Sequence, residues 1–303
     1  MSKKADERAD MQEQLVLRTR QAEEVIEQYL PYETGHQKTV FEAMNYSVRA
    51  GGKRLRPILM QETYRLFGGS GQEVEPFMAA IEMIHTSSLI HDDLPCMDND
   101  ELRRGKPTTW VKYGYDMAVL AGDALLIYAV ETAAKACAMT ENGGTVARAI
   151  GLMAEKTGIY GMIGGQVVDV ELTNQPIPRE KLDFIYHLKT GALLEASMMI
   201  GALLGGADAS ALSIVERLAS LVGVAFQIQD DILDVTATTE QLGKPALSDE
   251  RNQKTTYVTL EGIDKARADV AKMSAEAIKL LHLLPGENPF LEGLIQMLIT
   301  REK

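Results

Sequence analysis

Four stretches of this chain, 74–91, 116–130, 192–204 and 218–233, are apolar nearly all the way round a helix rather than along one stripe. Helices of that kind belong in the centre of a large bundle, surrounded by other helices. Alternating runs of β-branched residues are almost absent, so the whole chain reads as all-α. Helices are predicted at 8–30, 36–50, 55–67, 74–94, 115–139, 144–172, 179–205, 209–236, 250–285 and 287–301. Pro31, Gly51-Gly52, Gly68-Gly69-Ser70-Gly71, Gly143-Gly144, Pro176 with Pro178, Gly205-Gly206 and Gly243 supply the breaks. No Pro/Ser-rich linker and no short repeat divides the 303 residues, so the expectation is one large helical bundle covering 1–303.

Two of the central helices end in or carry acid. Asp92-Asp93 is followed by Asp98 and Asp100, and Asp230-Asp231 by Asp234, each after an apolar run (Met83 to Ile90, Val222 to Gln229). Carboxylates in such surroundings are costly unless they are paired or hold a cation. Two clusters of hard oxygen ligands suit Mg²⁺, which is usually shared between a few carboxylates and a substrate phosphate. Asp230 and Asp234 are four apart and share a helical face. Asp92 and Asp98 are six apart, but Pro95 lies between them and biases Leu94 away from helical geometry, so the helix should end there and let Asp98 swing back.

Cations cluster near the acids. Gly51-Gly52-Lys53-Arg54-Leu55-Arg56-Pro57 is a glycine turn feeding three cations, and Arg103-Arg104-Gly105-Lys106-Pro107 is a second basic loop five residues after Asp98. Glycine lets backbone approach a phosphate, and arginine offers it paired hydrogen bonds. Lys189, Lys244 and Lys254 are isolated cations in the later half, each with a plain surface role as its simplest reading. The net charge of −12 argues against nucleic acid and leaves these local cations to receive any anionic substrate. Two cysteines without a pairing pattern fit a reducing compartment. The first 20 residues are charged throughout, and the longest uncharged stretches, 196–207 and 218–229, fall short of the ~20 residues a bilayer needs. A cytoplasmic protein, not integral to a membrane, is expected.

These segments together resemble the all-trans prenyl diphosphate synthases, in their bacterial-type form. Ile84 to Thr108 is similar to that family's first aspartate-rich motif, in the version with two extra residues between the acids. Residues 51–57 are similar to its homoallylic diphosphate loop and 226–235 to its second aspartate-rich motif, while 164–171, 187–197 and 242–257 are similar to further blocks in the same order. The resemblance implies an isoprenoid-synthase bundle with a central apolar cavity, acting as a homodimer. It implies that Asp92, Asp98 and Asp230 hold three Mg²⁺ ions on an allylic diphosphate, with Asp93, Asp231 and Asp234 in the same clusters. Arg103, Lys189, Lys244 and Lys254 would stabilise the departing diphosphate, and Thr190 and Gln227 the allylic cation. Gly52, Lys53, Arg56, His85 and Arg104 would grip isopentenyl diphosphate. Ser87, five residues before Asp92, is small where related farnesyl synthases carry Tyr or Phe, and Met83 with Ile84 would form a deeper floor, which favours a C20 product with C15 next. Thr109-Trp110 departs from the family's usual Asn-His, and Trp110 is expected to pack on a neighbouring helix. A class I terpene cyclase would share an aspartate-rich motif but would not need the second cationic pocket. A non-catalytic subunit of a heteromeric synthase would not need intact acids.

Overall fold

A computed structural model describes residues 3–173, 175–236 and 255–300. Lys244 and Lys254 lie outside the described residues. The described chain is helical apart from one two-residue hairpin: α1 (Lys3–Gln28), α2 (Lys38–Val48), α3 (Leu55–Leu66), α4 (Glu75–Asp92), β1 (Leu102–Arg103), β2 (Lys106–Pro107), α5 (Thr109–Tyr113), α6 (Tyr115–Ala134), α7 (Gly143–Thr157), α8 (Met162–Glu171), α9 (Arg179–Ile185), α10 (Ala192–Leu204), α11 (Ala209–Thr236), α12 (Tyr257–Glu261), α13 (Ile263–Leu281) and α14 (Pro289–Thr300). A 3₁₀ turn, Lys135–Ala138, extends α6, and a π turn, Tyr186–Gly191, joins α9 to α10.

Two compact units divide the chain. One comprises residues 12–61 and 70–151, the other 1–11, 62–69 and 152–303. In the first, α4 packs along α6, and α2 touches both. Every residue of α4 from Phe77 to Ile84 is buried, including Glu82, which fits the all-round apolar pattern of this stretch. In the second unit α11 is the hub, packed against α10, the π turn, α12, α13 and α14. Residues Ala192–Leu203 of α10 are buried without exception. The 116–130 stretch differs from expectation: Leu120 and Ile127 of α6 are 54% and 73% exposed, so that helix keeps one apolar face uncovered.

Three boundaries also differ. The predicted 144–172 helix is two helices, separated at Gly158–Gly161, where a Cβ at Gly161 would lie 2.0 Å from the Lys156 carbonyl oxygen. The predicted 179–205 helix contains the π turn. The predicted 250–285 helix begins, among the described residues, as the short α12, started by Thr256, whose Oγ1 accepts from the Thr259 amide at 3.2 Å. By length and composition two stretches, Tyr115–Ala138 and Ala209–Thr236, are long and apolar enough to cross a membrane, although no wholly uncharged run is. The first packs against α2 and α4, and the second against α10, α13 and α14.

Candidate active site

The first unit builds an anion cradle. Its loop is strained by design of sequence: Gly51, Gly52 and Arg54 have φ of 96°, 140° and 48°. The arginine conformation alone costs about 1–2 kcal/mol. A buried ion pair holds it: Arg54 NH1 donates to Glu82 Oε1 of α4 at 2.7 Å, and NH2 donates to the Val48 carbonyl at 2.6 Å. Two residues on, Arg56 keeps a buried Nε without a hydrogen-bond partner.

The hairpin supplies the facing arginines. Arg103 pairs with Lys106, and the turn between them places Arg104 and Gly105 at φ of 53° and 73°, the doubly positive geometry that suits a tight two-residue turn. Arg104 thereby reaches Gly52, where a Cβ would sit 2.9 Å from the guanidinium carbon. Only glycine permits that approach. Burial, the first cause, pushes both Arg56 and Arg104 below the ordinary guanidinium value, and like charge adds to it, while Glu82 opposes. His85 of α4 is held well below the ordinary imidazole value, first by close enclosure in protein and then by Arg56, Arg104, Arg103 and Arg54. A neutral imidazole among arginines is the surrounding that a polyanion would complete.

The first acidic motif lies beside this cradle. α4 stops at Asp92, and the chain folds back so that the Asp98 amide donates to the Asp92 carbonyl at 2.8 Å. The sharp reversal at Pro95 therefore brings the two acids into one loop. Asn99 takes φ of 55° in closing it. Asp93 is buried and receives Arg103 Nε at 2.8 and 2.9 Å and NH2 at 2.5 Å. Burial pushes the Asp93 carboxyl up and Arg103 pulls it back. Asp92 is half-buried, whereas Asp98 and Asp100 are exposed. Trp110 Nε1 donates to the Asp100 carbonyl at 2.9 Å, joined there by Thr108 Oγ1 at 2.8 Å. His91 turns its Nε2 to α6, 3.3 Å from the Val119 carbonyl and 3.7 Å from Asp123 Oδ1.

The second unit arranges the other motif around the π turn. One extra residue in that turn sends its side chains to several helices. Tyr186 donates its hydroxyl to Asp231 Oδ2 at 2.5 Å, Lys189 Nζ reaches Asp169 Oδ2 of α8 at 2.5 Å, and Thr190 Oγ1 donates to Gln227 Oε1 at 3.0 Å. The turn lies hard against α11, because a Cβ at Gly223 would be 2.7 Å from the Gly191 Cα. Asp231 also accepts the Tyr257 amide at 2.8 Å, so it fixes the start of α12. Asp230 is half-buried and Asp234 buried on the same helix. Glu82, Asp169, Tyr186 and Tyr257 bond to candidate site residues, and none of them is singled out by the motifs. Glu82 has a signal, a charge inside an otherwise apolar run.

A profile described as polyprenyl synthetase matches residues 37–281, which includes both acidic motifs, the glycine loop and the π turn. The chain belongs to the polyprenyl synthetase family. It is similar to a chloroplastic geranylgeranyl pyrophosphate synthase of Capsicum annuum, 48% identical over 242 residues, 78% of this chain and 64% of that protein. It is similar to a dimethylallyltranstransferase of Fischerella ambigua, 45% identical over 273 residues, 88% of this chain and 78% of that one. The fold is that of the crystal structure of an FPP/GFPP synthase from Zymomonas mobilis, with a TM-score of 0.85 at 31% identity over 96% of this chain and 99% of that chain.

Proposed function

We propose that this chain is a Mg²⁺-dependent prenyltransferase. It joins isopentenyl diphosphate head-to-tail to dimethylallyl, geranyl or farnesyl diphosphate and makes a short all-trans prenyl diphosphate, C20 before C15. The observation that carries this reading is the arginine cradle. Arg54 and Arg103 are neutralised by Glu82 and Asp93, while Arg56 and Arg104 stay crowded together with neutral His85, a setting built for a diphosphate.

Among the described residues no three metal-type ligands are gathered into one cluster. Mg²⁺ usually takes one or two carboxylates and completes its shell with water and phosphate oxygens. Asp92, Asp98 and Asp230 are the proposed ligands for three ions, with Asp93, Asp231 and Asp234 supporting them. When bound, the metal supplies charge neutralisation to the leaving diphosphate. The allylic C–O bond breaks and its electron pair leaves with the diphosphate. Lys189, held by Asp169, and the proposed partners Arg103, Lys244 and Lys254 stabilise that anion, and the Thr190–Gln227 oxygens lie ready for the allylic cation. The double bond of isopentenyl diphosphate, gripped by Gly52, Lys53, Arg56, His85 and Arg104, supplies the electrons of the new C–C bond. A proton then leaves the adjacent carbon for the released diphosphate.

Product length is proposed to follow α4, where Ser87 is 1% exposed with its hydroxyl donating to the Ile84 carbonyl at 2.8 Å, one turn above Met83. A cytoplasmic homodimer is part of the same proposal. Incubating the purified chain with isopentenyl diphosphate, Mg²⁺ and each allylic primer tests it. Dominant C20 product is expected; absence of any chain longer than the primer would defeat it.

A further inference from the structure

The π turn has a second set of contacts that no step above uses. Glu195 of α10 is 1% exposed, inside a helix that is otherwise packed with apolar and small residues. Its Oε2 accepts Lys156 Nζ of α7 at 2.6 Å, and the same ammonium donates to Glu216 Oε1 of α11 at 2.8 Å. Its Oε1 has no hydrogen bond of good geometry, and lies 3.3 Å from Nδ1 of His187. That nitrogen is also 3.1 Å from Ser220 Oγ. A carboxylate oxygen only accepts, so the favourable tautomer carries its proton on Nδ1. A Cβ on Gly191, the last residue of the turn, would be 4.0 Å from the same Oε1. The cluster therefore touches the π turn at His187 and at Gly191, apart from the bonds that Lys189 and Thr190 make.

A buried ion pair is a poor way to gain stability, because a well-packed apolar residue does as well or better. What it adds is register. A π turn holds one residue more than an α turn. Relaxing it to α geometry shifts the downstream residues by one position, a rotation of about 100° that would carry Lys189 and Thr190 away from their partners. We propose that Glu195 and His187 are positioning residues: anchored on Lys156, they keep the π turn from relaxing and so set the aim of Lys189 and Thr190. The inference rests on the roles proposed above for those two residues.

His187 is the better place to test it, since its side chain is 44% exposed and its loss leaves no buried charge without Lys156. In His187→Ala, kcat for prenyl transfer is expected to fall about tenfold or more, because a displacement of about 1 Å at a catalytic group is enough for that. The KM for isopentenyl diphosphate stays within about twofold of the parent value. His187→Asn, whose amide nitrogen can stand where Nδ1–H stood, restores most of kcat, and Glu195→Gln behaves like His187→Ala. Unchanged kcat in both His187→Ala and Glu195→Gln overturns the proposal, as does a loss that His187→Asn fails to restore. A parent chain that transfers no isoprene unit overturns the functional reading itself, and is seen before any variant is made.

Discussion

Replacing Glu82 by glutamine asks whether one buried carboxylate holds the diphosphate loop in its strained shape. The pair it forms with Arg54 spans 2.7 Å, and both side chains are only 3% exposed. Removing one partner of such a pair costs about 3–5 kcal/mol, since the other charge stays buried. Glutamine keeps an acceptor for Arg54, which places the expected loss near the lower end. At roughly 1.5–2 °C per kcal/mol for a chain of this size, the unfolding midpoint should fall by about 5–6 °C. Arg54, at φ of 48°, sits between Lys53 and Arg56. Once the pair is gone the loop can relax, and the KM for isopentenyl diphosphate should rise about tenfold or more while that for the allylic substrate changes little. The double change Arg54→Met with Glu82→Leu removes both charges and should recover much of the lost stability, yet leave the KM raised. Thermal unfolding and two-substrate kinetics measure both effects. An unchanged midpoint, or the two KM values rising in parallel, would refute the reasoning.

Three further outcomes are expected. Ser87→Tyr should shorten the product, read by chromatography of the dephosphorylated chains; an unaltered length would show that the chain does not run past this level of α4. Enclosure and four arginines hold His85 well below the ordinary imidazole value, so the unfolded chain binds a proton there that the folded chain refuses. Stability present above about pH 6.5 is then lost as pH falls towards the folded value, and His85→Gln should flatten the fall in midpoint between about pH 7.5 and 5.5; an equal slope in both proteins contradicts this. Gly223→Ala puts a methyl 2.7 Å from the Gly191 Cα, which backbone on both sides cannot easily relieve. It should cost about 1–3 kcal/mol and lower kcat, and a stable variant of normal rate would show that the π turn tolerates displacement.

Much of the fold is legible in residue order because the pattern and the chemistry agree. α11 runs from Ala209 to Thr236, the bounds its apolar run and flanking Gly205-Gly206 predict. Pro95 ends α4 and returns Asp98 to Asp92 as its ring chemistry requires. The features that residue order does not show depend on tertiary partners. The hairpin is two residues per strand, too short for alternation to register, although Arg104-Gly105 is a turn signal. The π turn leaves no periodic trace, because one inserted residue in a run from Arg179 to Leu204 barely disturbs the apolar pattern. The second member of each aspartate pair has its own partner, Asp93 with Arg103 and Asp231 with Tyr186 and Tyr257. Spacing alone cannot separate these structural bonds from a ligand's place in the motif. The split of 144–172 has its signal in Gly158 and Gly161, which a single helix across that stretch disregards.

Steady-state isoprene transfer by Asp230→Asn is the most direct test of the proposed chemistry. The change keeps shape and removes the charge on which departure of the diphosphate is proposed to depend. With Mg²⁺ saturating, kcat should fall by about 10²-fold or more, while the KM for isopentenyl diphosphate stays near the parent value. A variant that transfers isoprene units at close to the parent rate would contradict the proposed role of the aspartate motifs.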